Sequence, residues 1–195
     1  MNTHRRGPPT TRLLCLAGSL RRDSWNRRLL TAAVRMAPRG LELSLFEELA
    51  AVPIFNEDTE QVEAAGVHQL RSAVAMADGL LVATPEYNHS FPGVLKNAID
   101  WLSRGSPSVL VDKPVAIIGA TAGRWGTRLA QAALRQVFAA TEARVMPAPM
   151  LFVPHASECF DVDGQLSDPK LAKALSGVID AFRSWMLLHA QASSE

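Results

Sequence analysis

The chain has few of the residues and patterns that mark specialised protein classes. It contains 2 cysteines, 1 tyrosine and 6% aromatic residues among 195 residues. Cys15 and Cys159 form neither a CxxC pair nor a metal-ligand spacing, so nothing in the cysteine usage suggests an oxidising compartment or a metal site. Lys and Arg number 20 against 19 Asp and Glu, a net charge of +1, which implies no general attraction to nucleic acid or membrane.

Long apolar segments are missing as well. No stretch is long enough to cross a bilayer, and residues 1–11 lack the apolar core of a signal peptide. We therefore expect a cytoplasmic protein with no membrane partner. Residues 1–11 are predicted to form a flexible tail, followed by a single domain over residues 12–190. Asp161 and Asp163 do not fit the EF-hand ligand pattern, so no metal is expected there.

Apolar runs alternate with helical patterns and predict an α/β fold. Buried or alternating strands are expected at 13–17, 41–45, 80–83, 115–119 and 144–152, the last interrupted by Pro147 and Pro149. Helical patterns cover about 29–36, 61–77, 94–102, 129–140 and 171–186. Val62 is among the residues predicted to face the core. Together these elements predict a three-layer flavodoxin-like sandwich with a five-stranded parallel sheet in the order 2-1-3-4-5.

The loop after the first strand is rich in hydroxyl and guanidinium groups. It opens onto a helix N-terminus, where free N–H groups and the helix dipole favour an anion. Its candidate ligand-binding residues are Ser19, Arg21, Ser24, Trp25 and Asn26. Walker and dinucleotide-binding glycine patterns are absent, and many donors in one loop suit a phosphate monoester, which favours FMN over FAD or NAD. Ser24 and Asn26 taken alone are equally consistent with simple helix capping.

Two further polar loops follow the third and fourth strands, at the edge where open α/β sheets bind ligands. The candidate residues of the second loop are Pro85, Glu86, Tyr87 and Asn88, whose ring, amide and backbone N–H groups suit a flat heteroaromatic ligand. Those of the third loop are Thr121, Ala122 and Gly123, small residues that let backbone N–H groups approach a ring closely. Trp125 is predicted either to cover the pocket or to pack at a subunit interface.

Two segments resemble the NADPH-dependent FMN reductase family, which includes quinone, azo and chromate reductases. The sequence PEYN at 85–88, Pro92-Gly93, residues 95–101 and Arg104 resemble the family's flavin loop. The pattern GSLRxxSxN at 18–26 resembles its FMN-phosphate loop. The resemblance implies that residues 121–123 contact the isoalloxazine. It also puts Trp101 and Arg104 on the exposed side of the helix, where family members form homodimers and homotetramers.

One departure from the family concerns a glycine pair. Relatives usually carry Gly-Gly where this chain has Gly126-Thr127. That pair lies near the expected approach of nicotinamide or substrate, so the family's pocket shape and cofactor preference do not carry over to this chain directly.

The resemblance implies a reductase with noncovalent FMN and with NADPH or NADH as electron donor. Hydride would pass to flavin N5, and a quinone, azo compound, free flavin or chromate-like acceptor would then take the electrons in a ping-pong cycle. No side chain is assigned as acid or nucleophile, because no triad or carboxylate pair is recognisable in the sequence. The alternatives are an FMN-binding electron carrier, disfavoured by the near-neutral charge, and a regulatory domain without cofactor, disfavoured by the complete phosphate loop.

Overall fold

Parallel strands with helical crossovers form most of the chain. The computed structural model describes residues 10–62 and 64–192, so residues 1–9 of the predicted tail at 1–11 lie outside the described residues. The strands are β1 (Thr11–Ala17), β2 (Leu41–Leu45), β3 (Gly79–Ala83), β4 (Pro114–Ala120), β5 (Arg144–Val145) and β6 (Leu151–Val153). The helices are α1 (Trp25–Arg35), α2 (Ala65–Met76), α3 (Gly93–Leu102), α4 (Arg128–Ala140) and α5 (Pro169–Ala192).

The strands pair in the order β2-β1-β3-β4-β5, and every pairing is parallel. β5 pairs with the start of β4, whereas β6 pairs with its end, so the two short strands share one edge of the sheet. Pro147 and Pro149 lie between them, and neither can donate a hydrogen bond to the ladder because proline has no backbone N–H. The predicted order and the interrupted fifth strand are both confirmed.

Each face of the sheet carries its own apolar core. Alternate residues of a strand point to opposite faces, so Leu13 and Cys15 pack beneath α1 and α5. Leu14 and Leu16 pack beneath α2, α3 and α4. This confirms the predicted three-layer sandwich. Within residues 10–62 and 64–192, no helix has both the length and the apolar character needed to span a bilayer.

The structure differs from the sequence predictions at several element boundaries. β1 begins at Thr11, inside the predicted tail, and α5 continues to Ala192. α2 begins at Ala65 rather than near residue 61, because residues 57–59 form a separate 3-10 turn capped by the Asn56 side chain. The prediction that Val62 faces the core is therefore wrong: it lies before the helix and is 79% exposed.

Candidate functional site

The three candidate loops meet at the carboxyl edge of the sheet. Parallel pairing sets Ala17 beside Ala83 and Ala83 beside Ile118, so the loops after β1, β3 and β4 leave the sheet side by side. All the candidate residues identified in the sequence lie in these loops or in the first turn of α1.

The first loop presents hydrogen-bond donors around the start of α1. Ser24 is the N-cap residue, and its Oγ accepts a hydrogen bond from the Arg27 N–H at 3.3 Å. Ser19 Oγ accepts from the Arg21 N–H at 3.4 Å. Each hydroxyl keeps its own O–H as a donor, and the Arg21 side chain is exposed. Capping by Ser24 and phosphate binding are thus compatible roles for the same side chain.

Asn26 braces the first loop against β4. Its Nδ2 donates to the Ala120 carbonyl at 2.9 Å, and the Ala120 N–H donates to its Oδ1 at 2.9 Å. The side chain is buried, so this reciprocal pair needs a residue that is both donor and acceptor. The observed role of Asn26 is to hold the start of α1 beside the third loop, and a direct phosphate contact stays a prediction.

Trp25, in the first turn of α1, packs against Phe160 and Arg28. Its ring stacks on Phe160 with centroids 5.7 Å apart, and the Arg28 guanidinium carbon lies 4.7 Å from the Trp25 ring centroid. These contacts anchor the first turn of α1 to the chain segment after β6. A contact between Trp25 and a cofactor stays a prediction.

The second loop contains a tight reverse turn at its tip. Tyr87 and Ser90 exchange backbone hydrogen bonds of 2.8 and 2.9 Å. Asn88 and His89 between them have φ values of 50° and 62°, the left-handed geometry of a type I′ turn, which Asn adopts more readily than most residues. Tyr87 is 47% exposed, whereas Pro85 is buried.

Glu86 joins the second loop to the start of α4. Its Oε2 accepts hydrogen bonds from the Leu129 N–H at 2.9 Å and the Ala130 N–H at 3.1 Å. Thr127, the N-cap residue of α4, makes no side-chain capping bond, so Glu86 caps the helix from another loop. A carboxylate is favourable there because the helix dipole is positive at its N-terminus. Whether Glu86 also contacts a cofactor stays a prediction.

Two backbone hydrogen bonds join the third loop to the segment after β6. His155 donates its N–H to the Gly123 carbonyl at 3.2 Å, and Ala156 donates to the Thr121 carbonyl at 3.0 Å. Thr121 Oγ1 also accepts from the Gly123 N–H at 3.3 Å. Ala122 and Gly123 remain exposed, and these internal hydrogen bonds hold the loop in a fixed position. Trp125, two residues beyond, is 68% exposed.

Thr127, which stands where relatives carry a second glycine, is an interior residue. Its side chain is fully buried, and its Oγ1 accepts a hydrogen bond from Gln131 Nε2 at 2.9 Å. The same oxygen occupies the space that a Cβ on Gly119 would need. The threonine therefore fills interior space between β4 and α4.

The prediction that Trp101 lies on the exposed side of α3 is wrong, whereas the Arg104 side chain is 41% exposed, as predicted. Trp101 is 2% exposed, and its Nε1 donates to the Pro53 carbonyl at 2.8 Å. Arg104 makes two bonds of 2.9 and 2.7 Å to the Glu60 carboxylate. The hydrogen bond from Arg104 lowers the pKa of Glu60 below its usual value. Residues 52–60, which carried no predicted chemistry, thus cover this side of α3.

The donor set of the first loop fits the phosphate of FMN. Hydroxyl, guanidinium and helix N-terminal N–H groups are the donors that a terminal phosphate needs. Exposed backbone in the third loop and an exposed aromatic ring in the second fit a planar ring system beside it. No group of three or more His, Cys, Asp or Glu side chains in the described part of the chain is placed to hold a metal ion.

Known proteins resemble this chain in sequence and in fold. A family model described as NADPH-dependent FMN reductase matches residues 11–158. An NAD(P)H-dependent FMN reductase of Pseudomonas aeruginosa is 38% identical over 179 residues, which cover 90% of this chain and 95% of the relative. A 2-hydroxy-1,4-benzoquinone reductase of a Burkholderia species is 36% identical, with 90% and 96% covered. The solved structure of FerB, a flavoenzyme NAD(P)H:(acceptor) oxidoreductase of Paracoccus denitrificans, superposes with a TM-score of 0.85 at 34% identity, covering 92% of this chain and 98% of FerB.

Proposed function

Because the chain belongs to the NADPH-dependent FMN reductase family, we propose that it binds FMN noncovalently at the three loops and passes electrons from NAD(P)H to a quinone. One observation carries the proposal. The phosphate-type donors of the first loop are fixed, through Asn26 and Ala120, to the strand that leads into the exposed backbone of the third loop. This pair of hydrogen bonds supports the proposal, because it holds the residues proposed for the phosphate beside those proposed for the ring.

Each loop would have a separate task in this reaction. Ser19, Ser24 and Arg21 would hold the phosphate, with the positive end of α1 behind it. Tyr87 would border the ring, and the exposed Ala122 and Gly123 would lie against its edge. Bound FMN would supply the redox chemistry, accepting two electrons and a proton from the nicotinamide and delivering them to the acceptor. The protein would supply position, electrostatics and access.

Quinones are the first candidate electron acceptors, because similar proteins are described as quinone reductases. Azo compounds, free flavin and chromate-like ions remain further candidate acceptors for the same exposed ring face. NADPH and NADH are both candidate electron donors. We also propose that the protein is cytoplasmic.

We also propose a homodimer or homotetramer. Exposed apolar side chains lie in the second and third loops, at the start of α4 and before β6, and would be covered by a second subunit: Tyr87, Trp125, Leu129 and Met150. Sedimentation velocity of the purified protein tests this state directly. A monomer at micromolar concentration would contradict it.

Steady-state kinetics test the proposed reaction. With FMN-loaded protein, oxidation of NADPH should depend on added 1,4-benzoquinone, and double-reciprocal plots at several quinone concentrations should be parallel, as for a ping-pong cycle. A protein that binds FMN but does not oxidise NADPH or NADH would instead be an electron carrier. A protein that binds no FMN would belong to the cofactor-free alternative.

A further inference from the structure

His155 has a backbone conformation that is unfavourable for a histidine. The residue follows β6 and lies in the left-handed region, with φ 46° and ψ 42°. A Cβ atom comes too close to the following carbonyl oxygen in this region, so glycine or asparagine is the usual residue there. Residues held in such conformations are concentrated at functional sites. This histidine is therefore a candidate for a functional role.

The local fold makes no use of the His155 side chain. The residue precedes the 3-10 turn at Ala156–Glu158, but its imidazole makes no capping hydrogen bond to that turn. The residue is exposed, and within residues 10–62 and 64–192 its ring nitrogens have no hydrogen-bond partner. A glycine would suit the backbone better and would lose no hydrogen bond. A contact with a ligand explains the histidine better than stability does.

Two backbone hydrogen bonds place His155 beside the third loop. The His155 N–H donates to the Gly123 carbonyl at 3.2 Å, and the Ala156 N–H donates to the Thr121 carbonyl at 3.0 Å. Thr121 and Gly123 are among the residues proposed for the edge of the flavin ring. The imidazole of a residue bonded to Gly123 is within reach of a ligand that lies against this loop.

We propose that His155 is a catalytic residue whose imidazole donates a hydrogen bond to a carbonyl oxygen of the quinone acceptor. The inference rests on the proposed function. In that reaction the quinone gains a hydride from the reduced cofactor, which is thereby reoxidised, and a proton from water, and it leaves as the hydroquinone. Negative charge develops on the carbonyl oxygen before the proton arrives, so a fixed N–H donor binds the transition state more tightly than the quinone itself.

The reoxidation half of the reaction isolates this role. FMN-loaded protein is reduced with a stoichiometric amount of dithionite and mixed anaerobically with duroquinone, whose fully substituted ring does not alkylate thiols. His155→Gly should slow reoxidation by duroquinone about tenfold or more, because the developing charge loses its donor. Reoxidation by ferricyanide, which has no carbonyl oxygen, should change less than about twofold. His155→Gln keeps an N–H donor and should recover part of the rate with duroquinone.

Binding and stability provide measurements that do not depend on turnover. Calorimetric titration of the oxidised, FMN-loaded protein with duroquinone should give a Kd about 2–10-fold higher for His155→Gly, the effect of losing one neutral hydrogen bond. The Tm of His155→Gly should stay within about 2 °C of the wild-type value, since glycine tolerates positive φ and the imidazole has no bond to lose. His68→Gln, at an exposed histidine of α2 outside the three loops, is the control and should match wild type in each measurement.

Several results would overturn the assignment. Equal slowing with duroquinone and ferricyanide would indicate a general effect on the cofactor, and a large fall in Tm would indicate a structural role. Wild-type reoxidation by duroquinone in His155→Gly, with a loss in His89→Gly instead, would place the donor in the second loop. Failure of the proposed function alone would appear differently: NADPH and NADH would leave the flavin oxidised, while reoxidation after dithionite would still depend on His155.

Discussion

Replacing Glu86 by alanine should destabilise the protein even when no cofactor is present. The substitution removes the two hydrogen bonds from Glu86 to the Leu129 and Ala130 N–H groups, at 2.9 and 3.1 Å. Loss of a capping side chain costs about 0.5–2 kcal/mol, and loss of a favourable charge at a helix terminus about 0.3–1 kcal/mol. We expect a total of about 1–2 kcal/mol, since the side chain is only half-buried.

Thermal unfolding of the FMN-free protein measures this effect. For a domain of this size, about 1 kcal/mol lowers the Tm by roughly 2–4 °C, so Glu86→Ala should lower it by about 2–8 °C. FMN affinity should also fall, because the second loop loses its connection to α4. Glu86→Gln is the matched control, since it keeps an acceptor oxygen while losing the charge, and it should fall between wild type and Glu86→Ala.

A contrary result is easy to recognise. If Glu86→Ala binds FMN weakly while its FMN-free form unfolds at the wild-type temperature, the carboxylate acts on the cofactor and the capping explanation is wrong. If neither quantity changes, the bonds to α4 contribute nothing measurable.

Three further substitutions test other parts of the site and fold. Arg21→Ala should weaken FMN binding by about 1.5–3 kcal/mol in a fluorescence titration, and unchanged affinity would remove Arg21 from the phosphate site. Asn26→Ala should lower the free energy of unfolding in urea by about 2–4 kcal/mol, because it leaves the buried N–H and carbonyl of Ala120 unpaired; a loss below about 1 kcal/mol would contradict the brace. Arg104 lowers the pKa of Glu60, so this pair stabilises the protein above the unfolded-state pKa of Glu60 and ceases to do so as pH falls through the lower folded-state value. Wild type should therefore lose more stability than Glu60→Gln over that acidic range, and parallel pH profiles would refute this.

The strand order and the loop positions could be predicted because they depend on local patterns. Runs of four or more apolar residues mark strands buried on both faces, and the alternation of strand and helix implies parallel pairing. Parallel pairing then places the loops after β1, β3 and β4 at one edge. The phosphate-type composition of the first loop is visible for the same reason, since its residues are adjacent in sequence.

The bracing of the loops could not be predicted, because its partners are far apart in the chain. Glu86 is 43 residues from Leu129, and Asn26 is 94 residues from Ala120. From the sequence, Glu86 and Asn26 were both predicted to bind a ligand, because they lie in or beside polar loops. Only the structure shows that they bind backbone groups of distant residues. The burial of Trp101 was missed for a related reason: its cover is a segment around Pro53 that has no helical or strand periodicity.

The most direct test of the reductase function is an absorbance spectrum of the FMN-reconstituted protein, recorded anaerobically before and after NADPH. We predict that the oxidised flavin bands bleach on addition of NADPH and return on addition of a quinone. Bound flavin that NADPH and NADH leave oxidised would contradict the proposed function and indicate an electron carrier. Absence of bound flavin after reconstitution would contradict the FMN site itself.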